Sequence, residues 1–184
     1  MLTRDQWIAA ALDALDHEGY SGVSAERLAR RLKVTRGSFY HHFRSREAFV
    51  RSVLAQWEQD YTERMLAHAA EGLTLEDVLT RYLAVAADKH PQREIAIRAW
   101  ARRDRVVAEY QERVDRTRLS FAISTCRARM DNPVDAEIVA RFAHLWLIGG
   151  QQSGERNQPA SFAQLAQMAI ARLRSGGLPH RLPV

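Results

Sequence analysis

Ser24-Ala25-Glu26-Arg27-Leu28-Ala29-Arg30-Arg31-Leu32 and Thr35-Arg36-Gly37-Ser38-Phe39-Tyr40-His41-His42-Phe43 are separated only by Lys33 and Val34. Each stretch opens on a hydroxyl residue suited to cap a helix. Each also has a valine before that cap and an apolar residue at the fourth helical position, Val23 with Leu28 and Val34 with Phe39. That pairing is the hydrophobic staple, which fixes the angle at which the chain enters a helix. Two short helices joined by so tight a turn cross steeply, packing Leu28 and Leu32 against Phe39 and Phe43, and this is a helix-turn-helix. The second helix is left exposed on one side, and its first half carries Thr35, Arg36, Gly37 and Ser38. Such a helix fits the major groove of B-DNA, where one arginine takes guanine O6 and N7 together. Gly37 lets the backbone approach closely, and Tyr40, His41, His42, Arg44 and Arg46 lie where the duplex backbone would pass. Ser45 and Arg46 open the next helix, whose free N–H groups and dipole suit a phosphate.

Charge points the same way. The 184 residues carry a net charge of +5. Residues 24–46 alone hold seven basic groups (Arg27, Arg30, Arg31, Lys33, Arg36, Arg44 and Arg46) against one acid, Glu26, which leaves the rest of the chain nearly balanced. A basic patch on a balanced protein is the footprint of a polyanion-binding surface, although a solvated helix face produces charge runs too.

The remainder reads as helix throughout. Neither Gly nor Pro occurs from Phe39 to Glu71 or from Gln92 to Asn132, spans too long for strands. We expect nine helices, no strand, no internal repeat and no low-complexity tract. Thr3 with Gln6 forms a capping box for a first helix with an apolar face of Trp7, Ile8, Ala11, Leu12 and Leu15, ending near Gly19. Ser45 caps a long helix bearing Phe49, Val50, Val53, Leu54, Trp57, Tyr61 and Met65, which would join the two parts of the chain. Leu73, Thr74 and Val78 repeat the staple. Pro91, Asp104 and Asn132-Pro133 open three more helices, and Pro159 to Ser161 a last one, ending before Gly176-Gly177. Two domains follow: a helix-turn-helix domain over 1–46 and a six-helix domain over 47–184.

With 46% hydrophobic and 27% charged residues, the chain is expected to fold as a globular protein. Its single cysteine, Cys126, forms no internal disulfide and suits a reducing compartment. Leu145-Trp146-Leu147-Ile148 is far short of the roughly 20 apolar residues a bilayer needs. Asp5, Asp13 and Asp16 bracket the only apolar run near the N-terminus, so no signal peptide is read there. The expected location is the cytoplasm, with no membrane partner.

Gly19-Tyr20-Ser21-Gly22-Val23-Ser24, continuing through Thr35-Arg36-Gly37-Ser38-Phe39-Tyr40-His41-His42-Phe43-Arg44-Ser45-Arg46-Glu47, resembles the DNA-binding domain of the tetracycline-repressor-like (TetR) family over about residues 3–55. The resemblance implies an all-α homodimer with an N-terminal DNA-binding domain and a C-terminal domain for ligand binding and dimerisation. Carried over by position, Arg36, Gly37, Ser38 and His42 fall where that family reads bases, and Tyr40, His41 and Arg46 where it holds phosphates. Ser24 and Thr35 complete the expected DNA-contacting set. Arg46 stands where lysine is usual, which keeps the charge and changes its geometry. Lys33 stands where the turn usually has glycine, and a positive φ there would cost on the order of 1 kcal/mol.

Other suggestive residues have plainer readings. Adjacent helical residues point about 100° apart, so His41 and His42 do not make a metal site, and we expect neither metal nor cofactor. Gly150-Gln151-Gln152-Ser153-Gly154 has the wrong spacing for a nucleophile motif, and HExxH, P-loop and GxGxxG patterns are absent. The arginines at 102, 103, 105, 113, 116, 118, 127 and 129 alternate with Asp104, Glu109, Glu112 and Asp115, as solvated helical ion pairs do. Tyr61, Met65, Tyr82, Trp100, Tyr110, Phe121 and His144 are either ordinary core or, in part, the wall of a small-molecule cavity. Phe142, Leu145, Trp146, Leu147 and Ile148 cover most of the circumference of their helix. With Phe162 and Leu165 of the last helix, they would bury the surplus against a second copy, or else form a central core helix.

The expected function is a ligand-responsive transcriptional regulator, a repressor that binds a palindromic operator in double-stranded DNA as a homodimer and is released by a small apolar or amphipathic effector. A DNA-binding protein without an effector is the first alternative. An all-α enzyme is the second, and it lacks any nucleophile, base or metal constellation.

Overall fold

The computed structural model describes residues 2–87 and 89–153, together with 164, 165 and 168. Among these residues the regular structure is helical: α1 (Arg4–Glu18), α2 (Ala25–Arg31), α3 (Arg36–His42), α4 (Arg46–Glu58), α5 (Arg64–Ala70), α6 (Leu75–Ala87), α7 (Pro91–Ala101), α8 (Arg105–Arg127) and α9 (Pro133–Gln152). A 3₁₀ turn, Gly19–Gly22, follows α1, and a π-helical turn, Gln59–Glu63, lies between α4 and α5. Of the helix expected from Pro159 and ending before Gly176-Gly177, Gln164, Leu165 and Met168 are helical, and the rest, Phe162 included, lies outside the described residues. The described residues form two compact units, one from those within Met1–Arg64 and Lys89–Asp115, the other from those within Met65–Asp88 and Arg116–Val184. This grouping differs from a cut at residue 46, because α4 and α7 both pack with α1.

In the first unit local signals and packing agree. The Thr3 hydroxyl accepts from the Gln6 N–H while the Gln6 side chain accepts from the Thr3 N–H, which completes the capping box. Gly19, at φ +69°, ends α1 in a conformation that favours glycine. A Cβ on Gly22 would come within 2.9 Å of the Glu18 Cβ, so that glycine lets the 3₁₀ turn lie against α1. Phe39 is buried against Trp7, Phe43 and Phe49, with ring centroids 5.4, 5.2 and 5.1 Å away. One aromatic cluster therefore seats α3 on α1 and α4. From the far side α7 is tied on by a fork of hydrogen bonds, Arg93 Nε to Asp16 Oδ1 at 2.8 Å and Nη2 to Oδ2 at 2.5 Å. Trp57 Nε1 adds a bond to the buried Glu94 at 3.0 Å.

The turn between α2 and α3 closes as a Schellman motif. Val34 N–H donates to the Ala29 carbonyl at 2.9 Å, Lys33 N–H donates to Arg30 at 3.2 Å, and Lys33 itself takes φ +56°. A residue whose side chain disfavours the left-handed region thus occupies the position that glycine usually fills. Thr35 stands at the N-cap of α3 with extended backbone, yet its hydroxyl accepts no capping bond.

The second unit contains α5, α6, the later part of α8, and α9. Leu75, Cys126, Ala136, Val139 and Ala140 form one apolar cluster, and Leu83 with Leu147 forms another. Asn132 caps α9 through Val134 N–H and Asp135 N–H. The staple expected at Leu73 does not form, since that side chain is 88% exposed. Asp77 closes the start of α6 instead, accepting from Leu73 N–H while its own N–H donates to Thr74 Oγ1. The exposed start of α6 is satisfied by these polar bonds, so an apolar contact was dispensable there. One long helix was expected from Ser45; it contains the π turn at Gln59–Glu63, an extra-wide turn that no composition signal marks.

Lys33→Gly relieves the left-handed strain at the turn. We expect stability to rise by about 0.5–1 kcal/mol, read as a higher midpoint in urea with an unchanged slope.

Candidate nucleic-acid interface

The α2–turn–α3 segment presents its polar residues to solvent. Ser24, Thr35, Arg36, Gly37, Tyr40, His41 and Arg46 are exposed, while Ser38 and His42 are half-buried at the edge of the Phe39 cluster. Ser24 also caps α2, its hydroxyl accepting from Arg27 N–H. Arg36 Nη2 donates to the Tyr40 hydroxyl at 3.3 Å, with the guanidinium 6.0 Å from the centre of that ring, so the two long side chains share one face of α3. A Cβ added to Gly37 would meet only Thr35 Oγ1, at 3.7 Å. Nothing inside the fold requires a glycine there, in contrast to Gly22. Its small size matters only to something approaching from outside.

The seven basic groups of residues 24–46 do not form one free patch. Arg31 is paired with Asp13 and Glu18 of α1, and Arg27 lies 3.8 Å from Glu18. Arg46, at the start of α4, donates through Nη1 and Nη2 to Asp104 at 3.2 and 3.3 Å. Among the described residues no carboxylate lies within 4 Å of Arg30, Lys33, Arg36 or Arg44. The positive charge is therefore concentrated around the turn, the start of α3 and the α3–α4 junction, and the carboxylates of α1 neutralise the opposite side of α2. Sequence counting missed this division because it does not see which helix faces which. Among the described residues no group of three His, Cys, Asp or Glu side chains is placed to hold a metal.

The residues expected to line an effector site separate. Tyr82, Phe121 and His144 come together in the second unit, on a cavity of about 90 Å³ between α6, α8 and α9. Met65 is buried in the same unit without lining it. Tyr61, Trp100 and Tyr110 are in the first unit. Tyr61 accepts a hydrogen bond from His90 N–H, Trp100 stacks on Tyr20, and Tyr110 lies beneath Arg113 with its ring centre 4.1 Å away. The cavity wall also includes Leu75, Leu83, Thr125, Cys126 and Trp146. Arg118, expected among solvated ion pairs, is a wall residue only 4% exposed. The signal that would have found this wall is its spacing, since Arg118, Phe121, Ala122, Thr125 and Cys126 follow one face of a helix. Burial pushes the Cys126 thiol above its ordinary pKa.

The expected dimer residues also divide. Phe142 and Leu145 are exposed and continue a stripe with Val134 and Ile138 along α9, and Leu165 is exposed as well. Trp146 and Leu147 face inward; Leu147 is buried with Leu83 and both line the cavity. Helical periodicity explains the split, because neighbours in sequence lie about 100° apart around the axis.

Gly37→Ala separates fold from recognition. Stability should hold or rise by no more than about 1 kcal/mol, while binding to duplex DNA weakens by about 1–3 kcal/mol, measured by melting and by titration of the same preparation.

Residues 8–53 match the family described as bacterial regulatory proteins, tetR family. An 82-residue stretch is 32% identical to the HTH-type transcriptional repressor NemR of Escherichia coli K12, covering 44% of this chain and 41% of that one. The chain thus spans less than half the length of this curated relative. A transcriptional regulator from Rhodococcus sp. Rha1 superposes with TM-score 0.76 over 97% of this chain and 100% of its own, at 18% identity. Bacillus subtilis FadR, solved in complex with stearoyl-CoA, gives TM-score 0.70 over 95% and 99% at 16% identity. These two show a shared all-α fold. The relatives are regulators rather than enzymes. Residues 8–53 thus match the tetR family of bacterial regulatory proteins, and the described helices share the fold of solved transcriptional regulators.

Proposed function

We propose that the protein is a DNA-binding transcriptional regulator, acting in the cytoplasm as a repressor. It would read a palindromic operator as a homodimer and release it when a small molecule occupies the cavity of the second unit. Residues 1–46 would serve recognition, and 47–184 effector binding and dimerisation. The observation that carries this reading is α3. Its inner face is locked by Phe39, and its outer face offers Arg36, Gly37 and Tyr40 to a groove. Two such helices roughly 34–36 Å apart would meet successive major grooves on one side of a duplex. The exposed stripe of Val134, Ile138, Phe142 and Leu145 is the surface that a second copy would cover. No helix among the described residues is long and apolar enough to cross a membrane.

The cavity supports an apolar effector. Its wall is mostly hydrocarbon, and its polar side chains Tyr82, Arg118, His144 and Trp146 each already have a partner. At about 90 Å³ it is smaller than an engineered apolar cavity of about 150 Å³ that admits benzene. An effector larger than that space would part the wall helices as it enters. That gives it unequal affinity for two arrangements, which is the requirement for control of a distant site. FadR, with its stearoyl-CoA, is a protein of the same fold that holds an apolar chain.

Selection from random duplexes, followed by Arg36→Ala, tests the recognition reading. The variant should lose about 1–3 kcal/mol on the selected site and relax preference at one base position, and equal affinity of both proteins would reject it. Leu145→Glu tests the dimer, since the side chain is 67% exposed and the change leaves the core intact. Light scattering should report a folded monomer with at least tenfold weaker operator binding, about 1.4 kcal/mol. A stable dimer with unchanged binding would place the interface elsewhere.

A further inference from the structure

Arg46, at the α3–α4 junction, is a basic group that is already spoken for. It is the first residue of α4, its side chain is 66% exposed, and both terminal nitrogens converge on a single carboxylate oxygen, Asp104 Oδ2. The guanidinium also stands 6.0 Å from the ring centre of Trp100, a buried residue at the end of α7. Asp104 cannot follow the arginine outward. Its side chain is 17% exposed, its Oδ1 accepts from Val106 N–H at the start of α8, and its own N–H is bonded to the Trp100 carbonyl. The acceptor is thus fixed by the turn between α7 and α8, and the donor is on a flexible stem at the surface.

We propose that Asp104 is a built-in competitor for the DNA phosphate at Arg46, and that it holds affinity for all duplexes below what the basic residues alone would give. This rests on the reading of the protein as a DNA-binding regulator. A guanidinium turned toward a carboxylate has fewer donors facing a phosphodiester, and the carboxylate repels the same phosphate. An exposed pair of this kind is weak enough for a polyanion to displace, so the contact lowers affinity without abolishing it. Because the competition acts on the backbone, it scales specific and non-specific binding together. Asp104 touches no DNA in this account; it is a positioning residue that acts through Arg46.

Asp104→Asn removes the charge and keeps an N-cap of equal quality for α8. With the full-length protein and a random duplex of about three helical turns, we expect two- to fivefold tighter binding than wild type, and a dependence on salt steeper by up to about one unit of log–log slope. The melting midpoint should stay close to wild type, and Asp104→Ser, which also caps without charge, should give the same gain. In an Arg46→Ala background the gain should vanish. Unchanged or weaker binding by a normally folded Asp104→Asn protein overturns the proposal. So does a gain that persists without Arg46. Wild-type protein that binds no duplex at low salt would reject the DNA-binding reading itself, and this proposal with it.

Discussion

Phe39 is the residue on which the recognition surface depends. Seven residues of helix are too few to hold their shape in water, since the first turn of any helix is unfavourable and only packing recovers it. Here the packing is one side chain, buried among Trp7, Phe43 and Phe49 at edge-to-face or tilted angles. Everything exposed on α3 inherits its position from that contact. A smaller residue at this place would leave a void shared by three helices, and such voids cost several kcal/mol because the walls cannot close on them. The exposed residues of α3 could then be unchanged and still be misplaced.

Around that cluster the first unit uses charge to finish what apolar burial begins. The Arg93–Asp16 fork is largely withdrawn from water, where an ion pair gains little net stability but penalises every arrangement that breaks it. It therefore fixes α7 in register against α1 more than it strengthens the contact. Arg31 does the same for α2 through Asp13 and Glu18, with more exposure and less consequence. In this way carboxylates of α1 set the orientation of two other helices, and the basic residues left over face outward.

How much of this was legible in the sequence depends on how local the signal is. Caps at Thr3, Ser24, Ser45 and Asn132 involve residues within a few positions of one another, and each could be read directly, whereas the left-handed demand at Lys33 was visible only through the resemblance, where glycine is usual. The cross-helix facts could not. That Arg46 meets Asp104, that Arg118 is buried, and that Leu147 turns inward while Leu145 turns out all depend on which faces meet. Tyr61 and Trp100, left open between core and cavity wall, pack in the core of the first unit: aromatic residues at helical spacing are apolar in either unit, and composition does not say which cavity, if any, they border. The π turn at Gln59–Glu63 shifted the helical phase without a residue to announce it.

The placement of Cys126 has a practical consequence. It is the single cysteine of the chain, it lies on the cavity wall, and burial disfavours its thiolate. A thiol reagent must wait for the wall to part, so its reaction at neutral pH is gated by opening rather than by intrinsic reactivity. The protein thus carries its own clock for breathing of the second unit. A molecule that fills the space slows that clock, whatever its chemical identity.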